Sequence, residues 1–231
     1  MTASELIAAQ KKITDEIYRW AEENNLSKKD ELYPITDGVA DAEAYMSSNP
    51  KVMWVLKEPY DEFDGDQPGG GGWSIVDGCF AKIEQKPIAL TWYNIIYVMY
   101  GLRNGQIGDR IPSINNDRTM ANVLKEIAYI NVSKMPNRTS TKDSDLWRFY
   151  ETWKDILWKQ IDLYDPDIII FGATFGLFQN DFNQNGGLRM VNDSGIWSWK
   201  NKLLLSAYHP QRKGKDYVDN LIDIINKFYH P

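Results

Sequence analysis

Four short runs of apolar residues, separated by helical segments, constrain the fold of this 231-residue chain more than any other feature of its sequence. The runs are 52–56, 127–132, 168–171 and 203–207, and each is mostly apolar with little alternation. That pattern is typical of strands covered on both faces, whereas a half-exposed strand alternates apolar and polar residues. Because helical segments stand between the runs, we predict an α/β fold, a three-layer α/β/α sandwich with a central, mainly parallel four-stranded sheet.

Four segments carry the apolar periodicity of helices. The first follows Thr2 and Glu5, which are spaced as a capping box, and the other three lie at about 87–102, 144–163 and 215–228. No internal repeat or low-complexity linker divides the chain. We therefore expect a single domain over residues 1–231, with an extra N-terminal helical segment at about 1–48.

The composition excludes several kinds of site. One cysteine, Cys79, allows no disulfide, thiolate zinc site or cysteine-ligated iron–sulfur cluster within one chain, and two histidines argue against a multi-histidine metal site, so we expect no metal and no cofactor. The formal net charge of −6 argues against a protein that coats nucleic acid or an anionic membrane by bulk attraction. With no signal segment and no apolar run of membrane-spanning length, we expect a cytoplasmic monomer without a membrane partner.

Polar and aromatic residues follow three of the four predicted strands, at the edge where open α/β sheets bind ligands. The first strand is followed by Lys57-Glu58-Pro59-Tyr60 and then by a glycine-rich loop that ends in Trp73-Ser74-Ile75. The second leads into Asn131-Val132-Ser133-Lys134-Met135-Pro136, and the fourth into Tyr208-His209-Pro210-Gln211-Arg212-Lys213. Each residue taken singly has an ordinary structural explanation, but their conjunction at one sheet edge favours a shared site.

In order along the chain, these segments resemble the motifs of the uracil-DNA glycosylase superfamily. Lys57-Glu58-Pro59-Tyr60 is similar to its water-activating loop, and Trp73-Ser74-Ile75 to the segment whose ring stacks on the flipped base. Asn131-Val132-Ser133-Lys134-Met135-Pro136 resembles the Asn-Val-x-Lys-x-x-Pro segment that reads the base edge, although the proline comes one residue early here. His209-Pro210 resembles the motif that opens the DNA-penetrating loop. The likeness covers roughly residues 50–215.

The resemblance implies a monofunctional DNA glycosylase that hydrolyses the N-glycosidic bond of uracil or a related deaminated base in DNA, as in base-excision repair. Glu58 would activate the attacking water and stabilise the cationic sugar, and His209 would donate a hydrogen bond to the leaving base. The sequence leaves open whether Asp61 or Glu62 replaces Glu58 as the water-binding acid.

Three further residues would bind the base. Asn131 would match the adjacent acceptor and donor of uracil, and Trp73 would stack on the ring. Tyr60 would crowd the position of a thymine methyl group.

The expected partner is DNA containing uracil or another damaged base, in single or double strands. Lys134, Arg212 and Lys213 are expected to contact the phosphate backbone. Two features oppose this reading: the loop after the first strand is acidic, and the loop after His209 lacks the apolar residues that wedge into a base stack.

Two alternatives stay open. One is a glycosylase-like module with weak or lost catalysis that binds a nucleobase, nucleotide or DNA. The other is an unrelated small-molecule hydrolase on a similar sheet, in which Glu58, Asn131 and His209 would fail to face one cavity.

Overall fold

The computed structural model describes residues 1–27, 31–61, 63–64, 67–137 and 142–230. The strands in these residues are β1 (Gly38–Val39), β2 (Val52–Leu56), β3 (Phe63–Asp64), β4 (Gln67–Pro68), β5 (Ala128–Asn131), β6 (Ile168–Gly172), β7 (Arg189–Asn192), β8 (Ile196–Trp199) and β9 (Lys202–Ala207). The α-helices are α1 (Ala3–Glu23), α2 (Ala42–Ser47), α3 (Ile75–Gly78), α4 (Leu90–Asn104), α5 (Asp143–Tyr164), α6 (Phe175–Gln184) and α7 (Lys215–Phe228). Short 3₁₀ helices occupy Phe80–Lys82, Gly108–Arg110 and Arg118–Glu126.

Within the described residues, seven strands form one mixed sheet in the order β1-β5-β2-β6-β9-β8-β7. The central four run parallel to one another and are the strands that the apolar runs predict. The prediction of a four-stranded sheet is wrong, because β1 adds antiparallel at one edge and the β7–β8 hairpin adds antiparallel at the other. Strand β1 is only two residues long and β7 is largely exposed, so neither carries an apolar run that sequence periodicity detects.

The four predicted helices are present as α1, α4, α5 and α7. Helix α1 begins with the predicted capping box, in which the Thr2 hydroxyl accepts from the N–H of Glu5 and the Glu5 carboxylate accepts from the N–H of Thr2. Helix α4 begins at Leu90, later than the predicted 87, and ends before Gly105, whose left-handed conformation stops it. None of the helices in the described ranges is long and apolar enough to cross a membrane.

Helices pack on both faces of the sheet, and alternating residues of β2 lie in two different cores. Val52, Trp54 and Leu56 pack in one core with α4, α7 and the 3₁₀ helix at Arg118–Glu126. Met53 and Val55 pack in the other core with α1, α5 and α6. All five residues are buried, which explains why this strand is a continuous apolar run rather than an alternating one.

The N-terminal segment is tied to the sheet by one amide side chain. Gln10 of α1 donates from Nε2 to the carbonyl of Val39 at 3.0 Å, and its Oε1 accepts from the Val39 N–H at 2.8 Å. The hydroxyl of Tyr164, at the end of α5, donates to the same Oε1 at 3.0 Å. Helix α1, strand β1 and helix α5 therefore meet at Gln10.

Candidate functional site

A cavity of about 820 Å³ lies at the carboxyl edge of the parallel strands. The residues that the sequence assigns to catalysis and base binding all line it, namely Glu58, Tyr60, Trp73, Asn131 and His209. The dispersed arrangement expected of an unrelated hydrolase, with Glu58, Asn131 and His209 facing different surfaces, is not found. Glu58 follows β2, Asn131 ends β5 and His209 follows β9, so the ends of three parallel strands bring these residues together at the cavity.

Pairing between β2 and β5 sets Glu58 beside the end of the neighbouring strand. Leu56 and Asn131 are direct partners in the parallel ladder. The ladder continues past both strands, since the N–H of Ser133 donates to the carbonyl of Lys57 at 2.9 Å. Glu58 follows immediately, so its backbone is held where the two strands leave the sheet.

The amide of Asn131 is the least satisfied polar group of the site. The residue is 1% exposed, yet among the described residues neither Oδ1 nor Nδ2 has a hydrogen-bond partner. Leaving a buried donor or acceptor unpaired costs about 1–3 kcal/mol, and such groups are rare in native proteins. A ligand that presents one donor and one acceptor side by side would satisfy both atoms.

A buried ionic network holds the backbone of Asn131. Asp37 accepts at Oδ2 from the Asn131 N–H at 2.8 Å. The Lys134 ammonium donates to Asp37 Oδ1 at 2.8 Å and Oδ2 at 2.7 Å, and to Gln160 Oε1 at 2.8 Å. Gln160 Nε2 in turn donates to Asp37 Oδ1 at 2.7 Å. The three ammonium protons and both carboxylate oxygens thus have partners inside the protein.

This network corrects the prediction that Lys134 contacts a DNA phosphate. The Lys134 side chain is 0% exposed, and its ammonium is already used by Asp37 and Gln160. Burial lowers the pKa of Lys134, and the charge and hydrogen bonds of Asp37 oppose that shift. A lysine just after a strand looks like a surface residue in sequence, because the carboxylate that accompanies it lies 97 positions away.

His209 is held as a neutral imidazole. The N–H of Gln211 donates to its Nδ1 at 3.3 Å, so Nδ1 is the acceptor and the ring proton belongs on Nε2. Burial, and to a smaller extent the positive charges of Lys57 and Lys213, together lower the pKa of His209 to about 4. At neutral pH the Nε2–H is therefore a donor that a ligand in the cavity can use.

Two residues fix the turn that carries His209. Gly172, the last residue of β6, lets the turn approach β2, because a Cβ there would lie 2.4 Å from Leu56 Cδ2 and 3.2 Å from Pro210 Cδ. Asn94 of α4 donates from Nδ2 to the carbonyl of Pro210 at 2.6 Å and to that of Lys213 at 3.1 Å. Gly172 thus leaves room for the turn, and the Asn94 amide holds it by two hydrogen bonds.

Trp73 is positioned by the segment that precedes β1. The N–H of Thr36 donates to the Trp73 carbonyl at 3.0 Å, and the N–H of Ile75 donates back to Thr36 at 2.9 Å. The indole is half-buried against the core and lines the cavity. The N-terminal part of the chain, which carries no recognisable motif, therefore supports both Trp73 and, through Asp37, Asn131.

The alternative acids are placed differently from Glu58. Asp61 lines the cavity, but its Oδ2 accepts from the N–H of Gly71 at 2.9 Å and so closes the loop after β2. Glu62 lies outside the described residues. Tyr60, at the mouth of the cavity, is 52% exposed.

Arg212 and Lys213 are both exposed on the turn beside His209. The Lys213 ammonium lies 4.7 Å from the centre of the Tyr208 ring. Contact of either cation with a phosphate stays a prediction.

Two aromatic residues that sequence reasoning missed also line the cavity, Trp92 and Tyr129. The Phe80 ring packs edge-on against both, with ring centres 5.0 Å from Trp92 and 5.3 Å from Tyr129. A sequence signal for Tyr129 exists, because it stands two residues before Asn131 and side chains two apart share one face of a strand.

Gln160 also carries a signal in the sequence. It continues the spacing of Trp153, Leu157 and Tyr164 along α5, so the apolar face of that helix contains one amide, and all four residues are buried. Asp37 has no comparable signal, since neither its spacing nor its neighbours mark it as buried.

Within the described ranges, no group of three or more His, Cys, Asp or Glu side chains is arranged to hold a metal ion. The residues that line the cavity instead include two carboxylates, two amides, one lysine, one imidazole and several aromatic rings. No family model matches the chain, and no curated protein sequence matches it either. Its function is therefore inferred from the residues of the site.

Proposed function

We propose that this chain is a monofunctional DNA glycosylase that releases uracil or a related deaminated base. The observation that carries the proposal is the buried amide of Asn131, which lacks partners among the described residues and faces a cavity shared with Glu58, Trp73 and His209. Uracil presents an acceptor oxygen next to an N–H donor, which is the pair that one carboxamide can satisfy. Helices on both faces of the sheet agree with the α/β/α sandwich that the resemblance to uracil-DNA glycosylases implies.

The residues divide the chemistry between the two sides of the glycosidic bond. Glu58 takes a proton from water as the water oxygen bonds to the sugar carbon, and its negative charge stabilises the oxocarbenium-like sugar. The electron pair of the broken bond goes to the base. The Nε2–H of His209 then stabilises the developing anion as a neutral donor, which needs no proton transfer.

The surroundings of Asn131 fix its backbone more firmly than its amide. Asp37 holds the N–H, whereas no described protein group orients Oδ1 or Nδ2. The base therefore selects the orientation of the amide on binding, and cytosine, which presents the reversed donor and acceptor, is the informative competitor.

The test is release of uracil from labelled single-stranded and duplex oligonucleotides, with cytosine-containing strands measured beside them. We expect Glu58→Gln to lower the rate by about 10²–10⁴-fold, the usual range for removing a general base, and Asn131→Ala to abolish uracil release, because the base loses its paired donor and acceptor. Glu22→Gln, at an exposed acid of α1, is the matched control and should keep the wild-type rate. Wild-type protein that is inert on every deaminated base would contradict the proposal.

The size of the cavity favours a second candidate, binding of a nucleoside or nucleotide without hydrolysis. A pyrimidine ring fills only a small part of about 820 Å³, and cavities of about 300–1,000 Å³ accept whole ligands of drug size. Saturable quenching of tryptophan fluorescence by a nucleotide, lost in Trp73→Phe and without turnover, would indicate this function.

A further inference from the structure

We propose that Tyr208 is a stacking platform for the base next to the one held in the cavity, and that the site takes a single-stranded nucleic acid whose backbone leaves over the turn at 208–213. The inference rests on the proposed function, since it assumes that a base enters the cavity. It adds the strand state of the substrate and a contact outside the cavity.

Tyr208 presents an exposed ring on a hydrogen-bonded backbone. It is 75% exposed, more than any other large apolar side chain of the described residues, and it directly precedes His209. The Tyr217 hydroxyl donates to its carbonyl at 2.8 Å, and the Lys213 ammonium lies 4.7 Å from its ring centre. With the cation over one face of this exposed ring, the other face can stack on a base.

The distribution of charge indicates the side of the cavity over which the nucleic-acid backbone leaves. Arg212 and Lys213 are exposed at the β9 side of the mouth, whereas Asp61 belongs to the β2 side. Strand β6 lies between β2 and β9, so the two sides are about 10 Å apart at the usual strand spacing. A phosphate backbone is therefore attracted over the turn that carries Tyr208 and repelled from the acidic loop.

The same turn favours a single strand over a duplex. Extracting a base from a duplex costs a few kcal/mol, and enzymes offset part of it with apolar side chains inserted into the stack. Here the residues after Pro210 are Gln211, Arg212 and Lys213, which are polar or charged. A single strand needs no such wedge, and it presents the free base face that Tyr208 can stack on.

The experiment measures fluorescence anisotropy of a labelled single-stranded oligonucleotide with one uracil, using Glu58→Gln protein so that the strand stays intact. Two matched strands carry an abasic analogue directly 5′ or directly 3′ of the uracil. We expect one of them to bind about 5- to 150-fold more weakly, the factor that corresponds to stacking of one base on an aromatic ring.

Tyr208→Ala should lower affinity for the intact strand by a similar factor and remove the difference between the intact and the abasic strand, whereas Tyr208→Phe should keep both. Tyr229→Ala is the matched control, because this partly exposed aromatic residue follows α7 and does not line the cavity. The control variant should bind all strands as Glu58→Gln does. The same strand in a duplex should bind more weakly than alone.

The proposal is overturned if Tyr208→Ala binds the intact strand unchanged, if it weakens intact and abasic strands equally, or if the duplex binds as tightly as the single strand. Uracil release by wild-type protein tests the proposed function separately. Release without dependence on the neighbouring base would remove only the role of Tyr208. Binding that depends on this base without any release would instead support the role of Tyr208 and contradict the glycosylase activity.

Discussion

Acidification should destabilise this protein through His209. The pKa of His209 is lowered from the ordinary 6.5 to about 4 in the folded protein, chiefly by burial and also by Lys57 and Lys213. Between these values an unfolded chain takes up a proton that the folded chain does not. The free energy of unfolding is therefore highest above about pH 6.5 and decreases as the pH falls towards about 4.

The magnitude follows from the two pKa values. With a pKa of 6.5 in the unfolded chain and about 4 in the folded protein, the free energy of unfolding falls by about 2 kcal/mol at about pH 5 and by about 3 kcal/mol at about pH 4. Because the ring is partly exposed, solvent screening makes these the upper values. Even about 2 kcal/mol is a large part of the stability of an ordinary domain.

The assay is urea denaturation of wild type, His209→Asn and His230→Asn at about pH 7.5 and about pH 5. We expect wild type and His230→Asn to lose about 2 kcal/mol more on acidification than His209→Asn, since His230 is exposed. Labelling with ¹⁵N-histidine gives two sets of imidazole signals in nitrogen NMR, one for each histidine. The set of His209 should show a neutral ring with its proton on Nε2 down to about pH 5.

Two results would refute this reasoning. His209 could titrate near its ordinary pKa of 6.5, or the three proteins could lose equal stability on acidification. Either would mean that the imidazole is not kept neutral by its surroundings, and the Nε2–H would then not be the donor assigned to the leaving base.

Two further changes test the support of the site, each measured by urea denaturation. Asp37→Asn should cost about 3–5 kcal/mol because it leaves the buried Lys134 ammonium without its counter-charge, and adding Lys134→Met should recover part of the loss; equal stability of the single variant and wild type would contradict this. Gly71→Ala should cost about 1–3 kcal/mol, since φ is +67° there and a Cβ would lie 2.0 Å from the Tyr33 carbonyl oxygen. Gly70→Ala, whose Cβ would meet its nearest atom at 3.8 Å, is the control and should be close to neutral.

The sequence predicts the framework of this fold because its central strands are locally distinct. Val52–Leu56 and Ile168–Gly172 are buried at every position, so their apolar runs are continuous and visible without any partner. Strand β1 is two residues long and takes its place through the side chain of Gln10 and through pairing with β5. Such an element has no periodicity of its own, which is why the sheet was predicted too narrow.

The residues of the site also differ in how far the sequence predicts them. The positions of Glu58, Asn131 and His209 follow from where strands end, and order along the chain is enough to bring them to one edge. The partners of Lys134 do not follow from any local pattern, since Asp37 and Gln160 come from distant segments. Residues whose environment is set by one strand are predictable, and residues whose environment is set by three segments are not.

The buried network also has a consequence for how the chain acquires its site. Gln160 and Asp37 are 123 positions apart, and Asp37 and Lys134 are 97 apart, so each of these bonds closes a long loop at a cost in chain entropy. Until they form, nothing holds the Asn131 N–H, and His209 joins from a strand that is later still in the chain. The cavity cannot exist before His209 and Gln211 have left the ribosome, so chains that end before these residues should be unable to hold a base.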